Sequence, residues 1–263
     1  MLVVENLNKT FNPGTPIANH VLKGVSLTLN EGDYVTVIGG NGAGKSTLLS
    51  AVAGTFVPDT GSIIIDDVNV TKLPEHKRAT YLGRVFQDPM MGTAAGMNIE
   101  ENLALAYRRG KTRSMKWYIT SKERAMFRER LATLELGLEN RMSDKVGLLS
   151  GGQRQALTLL MATLKSPKLL LLDEHTAALD PKTAPKVLDI GDQIIHKAGL
   201  TTLMITHNMH DAIRRGNRLI MMSSGKIILD VCGEEKKNLT VETLIAKFSQ
   251  AAGDELEDVL LFK

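Results

Sequence analysis

Eight consecutive residues, Gly39-Gly40-Asn41-Gly42-Ala43-Gly44-Lys45-Ser46, fit the pattern G-x-x-x-x-G-K-[ST] in full. Their chemistry is phosphate binding. The glycines let successive backbone N–H groups turn inward around an anion, where Cβ atoms would obstruct. A helix starting at Lys45 adds its positive end. Lys45 is placed to reach β- and γ-phosphates, and the Ser46 hydroxyl to ligate Mg²⁺. Farther along, Leu169-Leu170-Leu171-Leu172 delivers Asp173 and Glu174 to the end of an apolar run. Open α/β sheets collect their ligands at such strand ends. Asp173 suits Mg²⁺, held through water, and Glu174 suits the orientation and deprotonation of an attacking water. An acidic pair capping a strand is by itself often only solvated. With a phosphate loop in the same chain it reads as catalytic.

These groups need elements to hold them. Tyr34–Ile38 reads as a strand entering the glycine loop and Lys45–Ala53 as a helix leaving it. Before them lie the apolar stretches 2–7 and 21–29, split by the turn-rich segment Asn12–Pro16. After them, Ser62–Val70 reads as a strand with an Asp66-Asp67 turn inside it, and Leu82–Phe86 as another. Between about 98 and 165 the texture changes: Ile99, Leu103 and Tyr107 recur at helical spacing, and 122–136 continues in that manner. Short buried-strand runs return at 169–172, 203–205 and 219–222. Strands alternating with helices predict a mostly parallel sheet flanked by helices and interrupted by a helical insert. From Gly233 on the chain is charge-rich, with no readable motif.

The whole composition bounds the partners. A net charge of +3 over 263 residues gives no reason to expect nucleic acid. The single Cys232 excludes an internal disulfide and suits a reducing compartment. No apolar run approaches the roughly 18 residues that span a bilayer, and the opening MLVVENLNKTF lacks the pattern of a signal peptide. The expectation is a chain that serves a membrane only through a partner.

Leu149-Ser150-Gly151-Gly152-Gln153 carries the resemblance. Physically it is a helix start, with Ser150 and Gln153 forming a capping box. Two glycines behind the cap suit only a close approach, and free N–H groups at such a tip suit a γ-phosphate. The string resembles the signature of ABC ATPases, and other family positions follow in order. Phe11 matches the aromatic that stacks on adenine. Gln87 matches the loop glutamine that contacts nucleotide and Mg²⁺ and links them to a transmembrane partner. Asp180, in Ala178-Leu179-Asp180, matches the loop that communicates between subunits, and His207 matches the switch histidine at the γ-phosphate. Thr47 follows Ser46 into the nucleotide contacts. His175 stands where the family usually has proline. It is expected to be a tolerated substitution, the alternative being that it tunes Glu174 or touches phosphate.

The resemblance spans about residues 1–230. It implies a RecA-like P-loop NTPase core (1–88 and 166–230), a β-rich N-terminal subdomain, an inserted helical signature subdomain (89–165) and a charged extension (231–263). It also implies hydrolysis of ATP with Mg²⁺ between two copies arranged head to tail, each Ser150–Gln153 completing the other copy's site. A helix of about 22 Å after Ser150 could instead run back along the Asp173 strand, so spacing alone leaves completion within one chain open. Further implications are permease subunits on separate chains, an extracytoplasmic substrate-binding protein and a place on the cytoplasmic side of the membrane. The wording around Glu174–Asp180 is similar to ATPases of amino-acid uptake. The alternative is a soluble ABC-type ATPase acting on nucleic acid or the ribosome. Such relatives carry coiled-coil inserts, zinc-binding cysteines or two fused units, and none of these is readable here. A nucleotide-binding module without hydrolysis predicts loss of Glu174 or His207, and both are present. Finally, Arg108–Trp117 packs five cationic residues beside the only tryptophan. It reads as a solvated basic loop, with docking on anionic lipid as the alternative.

Overall fold

The computed structural model describes residues 1–110 and 119–252. In chain order the elements are β1 (Leu2–Phe11), β2 (Asn19–Leu29), β3 (Tyr34–Gly39), α1 (Lys45–Ala53), β4 (Thr60–Ile65), β5 (Val68–Asn69), α2 (Glu75–Arg78), β6 (Leu82–Val85), α3 (Ile99–Tyr107), α4 (Ser121–Ala132) and α5 (Gly151–Thr163). Then come β7 (Leu169–Asp173), α6 (Ala184–Ala198), β8 (Thr202–Ile205), α7 (Met209–Arg214), β9 (Arg218–Ser223), β10 (Lys226–Cys232), α8 (Gly233–Lys237) and α9 (Val241–Ala252).

Two sheets result. One is antiparallel, in the order β2-β1-β4-β5. Its last hairpin turns at Asp66 and Asp67, with φ of 50° and 63°, the two positive values that a tight turn of primed type requires. The other has the order β10-β9-β3-β8-β7-β6. Its strands run parallel except β10, which lies antiparallel on β9. Every residue of β3 and β8 is buried, as are the four leucines of β7. Strands covered on both faces read as unbroken apolar runs for this reason.

The main core lies between the sheets and α1, with Leu7, Leu27, Val37, Leu48, Val52, Ile63, Leu171 and Ile205 among its members. A second core, built on Ile99, Leu103, Phe127, Leu131, Leu157 and Leu160, belongs to the helical insert. The far end of α1 is closed by a buried arginine. The Arg78 guanidinium donates to the carbonyls of Ala51 (2.7 Å), Val52 (2.9 Å), Thr71 (2.9 Å) and Leu73 (2.8 Å). Carbonyls orphaned at a helix end thereby find donors. Gly54 is required beside it: its φ is +88°, and a Cβ there would stand 2.6 Å from Arg78 Nε.

The chain's last segment differs from the expected charged extension. β10 runs through position 230, and α9 packs Leu244 and Phe248 against Ile38, Met209, Leu219 and Met221. The apolar residues Val241, Leu244, Ile245 and Phe248 fall at helical spacing, a signal that the surrounding charges obscured. Of the basic stretch 108–117, residues 111–117 lie outside the described residues. Among the described residues no helix is long and apolar enough to cross a membrane.

Candidate functional site

Register places the chemistry. Val37 of β3 pairs with Ile205 of β8, and Asp173 of β7 pairs with the same Ile205. Leu172 pairs with Val85 of β6. Four adjacent parallel strands therefore end together, delivering the glycine loop, His207, Asp173 with Glu174, and Gln87 to one edge of the sheet.

The loop itself is shaped by glycine. Gly42 and Gly44 have φ of +81° and +95°, values that residues with a Cβ reach only under strain. A Cβ at Gly39 would stand 2.2 Å from the Met222 carbonyl oxygen of β9. Lys45 Nζ donates to the carbonyls of Gly39 and Gly40, at 2.7 and 2.8 Å. The ammonium is thus held inside the loop, over which N–H groups and helix end present positive charge.

Ser46 Oγ stands 3.4 Å from Asp173 Oδ1 and donates to it. This pair of hard oxygen donors at the mouth of the loop fits Mg²⁺, which takes few protein ligands and completes its shell with water and phosphate oxygens. The Asp173 carboxyl is raised above its ordinary range by burial. The nearby Arg84 charge opposes that shift and the Glu174 charge adds to it. Arg84 was not singled out from sequence. Its guanidinium lies 3.6 Å from Asp173 Oδ2, donates to Thr55 Oγ1 at 3.1 Å, and sits 4.6 Å from the Phe86 ring centroid. A lone arginine inside the run Leu82–Phe86 was the available signal.

Glu174 has φ of +42°, a left-handed conformation that a non-glycine residue enters at a cost of about 1–2 kcal/mol. Its N–H donates to Ile205 O at 3.1 Å, and its carbonyl accepts from Ala177 N at 2.9 Å, which holds the turn. The carboxylate Oε2 is 3.7 Å from Nδ1 of the exposed His207. Acid and imidazole therefore face one another across the strand ends. Gln87 is exposed in the bend after β6. Among the described residues its side chain hydrogen-bonds none of these groups.

His175 turns the other way. It is 2 % exposed, and both ring nitrogens lack a hydrogen-bond partner among the described residues. Burial, aided by the charge of Arg215, pushes its pKa down to about 4. The imidazole is a neutral core group and not a phosphate contact.

The capping box at Ser150 is present. The Ser150 side chain accepts from Gln153 N, and the Gln153 side chain accepts from Ser150 N. The paired glycines are explained by close approach: a Cβ on Gly152 would stand 2.0 Å from Thr183 Cγ2, and one on Gly151 3.3 Å from Leu179 Cδ2. Asp180 anchors that neighbouring loop, its Oδ1 accepting from the N–H groups of Lys182 (3.1 Å) and Thr183 (3.0 Å). A hydrogen bond from the Thr183 side chain, with these backbone bonds behind it, holds the Asp180 carboxyl below its ordinary range. Ser150 and Gly151 stay exposed. No hydrogen bond among the described residues joins Ser150–Gln153 to the loop 39–46 of the same chain. Phe11 ends β1, half-buried, with its ring 5.4 Å from that of Phe56.

Known proteins share this arrangement. Residues 22–177 match the family model described as ABC transporter. A tyrosine transport ATP-binding protein of Clostridioides difficile is 45 % identical over 253 residues, 95 % of this chain and 100 % of that protein. A spermidine/putrescine import ATP-binding protein of Fusobacterium nucleatum is 32 % identical over 93 % of this chain and 61 % of its own length. Among solved structures, the ADP conformation of an ATP-binding cassette from an ABC transporter superposes with a TM-score of 0.77 at 26 % identity, covering 100 % of this chain and 99 % of that one. A dimeric bacterial ABC transporter cassette superposes with a TM-score of 0.74 at 29 % identity, covering 88 % and 98 %. Strand ends, glycine loop and capped signature helix thus converge with family and fold: this chain belongs to the ABC transporter family, as an ATP-binding and ATP-hydrolysing subunit with the P-loop NTPase fold.

Proposed function

We propose that two copies of this chain bind ATP head to tail and use its hydrolysis to drive a permease carried on separate chains. The observation that carries this reading is the strand-end convergence, together with a signature tip that is exposed and bonded to nothing in its own phosphate loop. Lys45 and the loop N–H groups hold the β- and γ-phosphates. Ser46 and Asp173, with Gln87 brought in from its exposed bend, are the residues that would hold Mg²⁺. When bound, that ion neutralises charge on the phosphate oxygens. Glu174 orients the attacking water and takes its proton, while His207 faces the γ-phosphate from the neighbouring strand. Phe11 stacks on adenine. Ser150–Gln153 of one copy closes over the phosphates of the other, supported by the dimeric form of the similar solved cassette.

The permease surface is supported by exposed apolar side chains around the bend after β6 and the start of α5. Met90, Met91, Met97 and Leu148 are 45 %, 69 %, 42 % and 73 % exposed. Carboxyl-terminal to Gln87 and beside the signature, they suit a membrane partner's cytoplasmic helix. Amino-acid cargo, tyrosine first, is supported by the tyrosine transport relative, and an extracytoplasmic binding protein would capture it.

The Glu174→Gln variant tests the mechanism. It should bind MgATP with near-normal affinity, lose hydrolysis, and elute as a dimer only when ATP is present. Normal turnover in that variant moves the general base elsewhere. Cargo is tested by deleting the gene and following uptake of labelled tyrosine, and unchanged uptake excludes tyrosine.

A further inference from the structure

Phe11 does not stand alone at the end of β1. Phe56, two residues beyond the glycine that closes α1, meets it with ring centroids 5.4 Å apart and planes at 78°. Edge-to-face geometry of this kind is what aromatic quadrupoles favour. Lys9 Nζ lies 5.7 Å from the Phe11 centroid and 5.4 Å from that of Phe56, and is tied to Asp59 Oδ1 at 2.8 Å. Phe56 itself packs against the main core. It is the anchored member of the pair.

The pair flanks the phosphate loop. Phe11 pairs with Asn19 at the start of β2. Two residues along that strand, about 7 Å, the Val21 carbonyl oxygen lies 3.1 Å from where a Cβ on Gly44 would stand. An aromatic here is within reach of the base end of a nucleotide whose phosphates occupy the loop. Phe11 is the last residue of its strand, followed by Asn12 in a left-handed turn with φ of 50°. A ring so placed has other rotamers open to it. An edge contact from a core-anchored neighbour removes those alternatives before the base arrives, and such pre-organisation strengthens binding.

We propose that Phe56 is a positioning residue for nucleotide binding, holding the Phe11 ring in the orientation on which a purine base stacks. The inference rests on Phe11 being the adenine platform. Calorimetric titration of the full chain with MgATP and with inorganic tripolyphosphate, which has phosphates but no base, tests both. Phe56→Leu keeps apolar volume without an aromatic edge, and it should weaken MgATP binding about 2- to 10-fold while leaving tripolyphosphate unchanged. Phe56→Tyr should restore wild-type affinity. Phe11→Ala should weaken MgATP at least as much, and adding Phe56→Leu to it should cost nothing further. If Phe11→Ala weakens MgATP and Phe56→Leu does not, the positioning role is overturned and the platform stands. If neither weakens it, the platform reading fails and takes this inference with it. Equal loss of MgATP and tripolyphosphate in Phe56→Leu also overturns the proposal, assigning Phe56 to the support of α1 and its loop.

Discussion

At the scale of single residues, side-chain direction separates neighbours that sequence places together. Lys45 points into the glycine loop, and its Lys45→Ala variant should lose roughly a hundredfold or more in turnover. Wild-type hydrolysis by the purified variant would remove the loop from the active site. Glu174 faces His207, whereas His175, one position on, is buried and has no hydrogen-bond partner among the described residues. Spacing cannot distinguish these fates, because the left-handed φ of Glu174 sets which side chain reaches the strand edge. His175 in turn predicts a pH effect. Its folded pKa of about 4 lies below the ordinary imidazole value of about 6.5. Between those values the unfolded chain binds a proton that the folded chain refuses, so this group's contribution to stability falls as pH drops through that window and is constant above it. His175→Leu removes both orphan nitrogens, which each cost when buried without a partner. It should unfold at higher denaturant than wild type at pH 7, and by a wider margin at pH 5. Equal margins at the two pH values would show that the ring finds a proton acceptor in the folded chain.

At the scale of elements, much of the framework was legible. The Lys45–Ala53 helix, the Asp66-Asp67 turn, the buried strands β3, β7 and β8, and the Ser150 capping box follow from local pattern alone. Arg84 stood out only as a lone arginine in an apolar run, and Phe56 not at all, because their roles depend on which strands and loops become neighbours. The last helix was legible in principle, since its apolar spacing is regular. Phe248 is 1 % exposed against the back of β3 and β9, and Phe248→Ala should cost about 3–5 kcal/mol in chemical unfolding. A loss of a few tenths would mean that α9 is only laid on the surface. The Gly151-Gly152 pair was explicable from sequence only as a demand for close approach. The structure names the partner, Thr183. Gly152→Ala should therefore destabilise by about 1–3 kcal/mol through overpacking. Thr183→Ser, which deletes the opposing methyl, should recover part of that loss, and a double variant as unstable as the single one would refute the pairing.

At the scale of the whole molecule, a shared site makes activity depend on assembly. Specific ATPase activity should rise with protein concentration while dimerisation limits it. Mixing a Lys45→Ala chain with a Ser150→Arg chain separates completion in trans from completion in cis. Each is inactive alone, and in trans the mixed dimer keeps one intact site, so activity returns wherever a single site can fire. Restoration of nothing, in dimers shown to exchange subunits, places both halves of a site on one chain. Strand order has a further consequence, in time. The neighbours of β3 in the sheet are β8 and β9, which begin at Thr202 and Arg218. At roughly 5–20 residues per second, the chain between Ser46 and Arg218 takes on the order of 10–30 s to be synthesised. Throughout that interval the phosphate-loop sequence lacks at least one of the strands that will flank it, and until Thr202 it lacks both, as an apolar segment waiting on distant partners. Nucleotide cannot guide the early folding of this chain, and the exposed strand falls to whatever meets it at the ribosome. Ribosome-bound chains ending before Thr202 should retain no labelled ATP, and chains that have released β10 from the exit tunnel should.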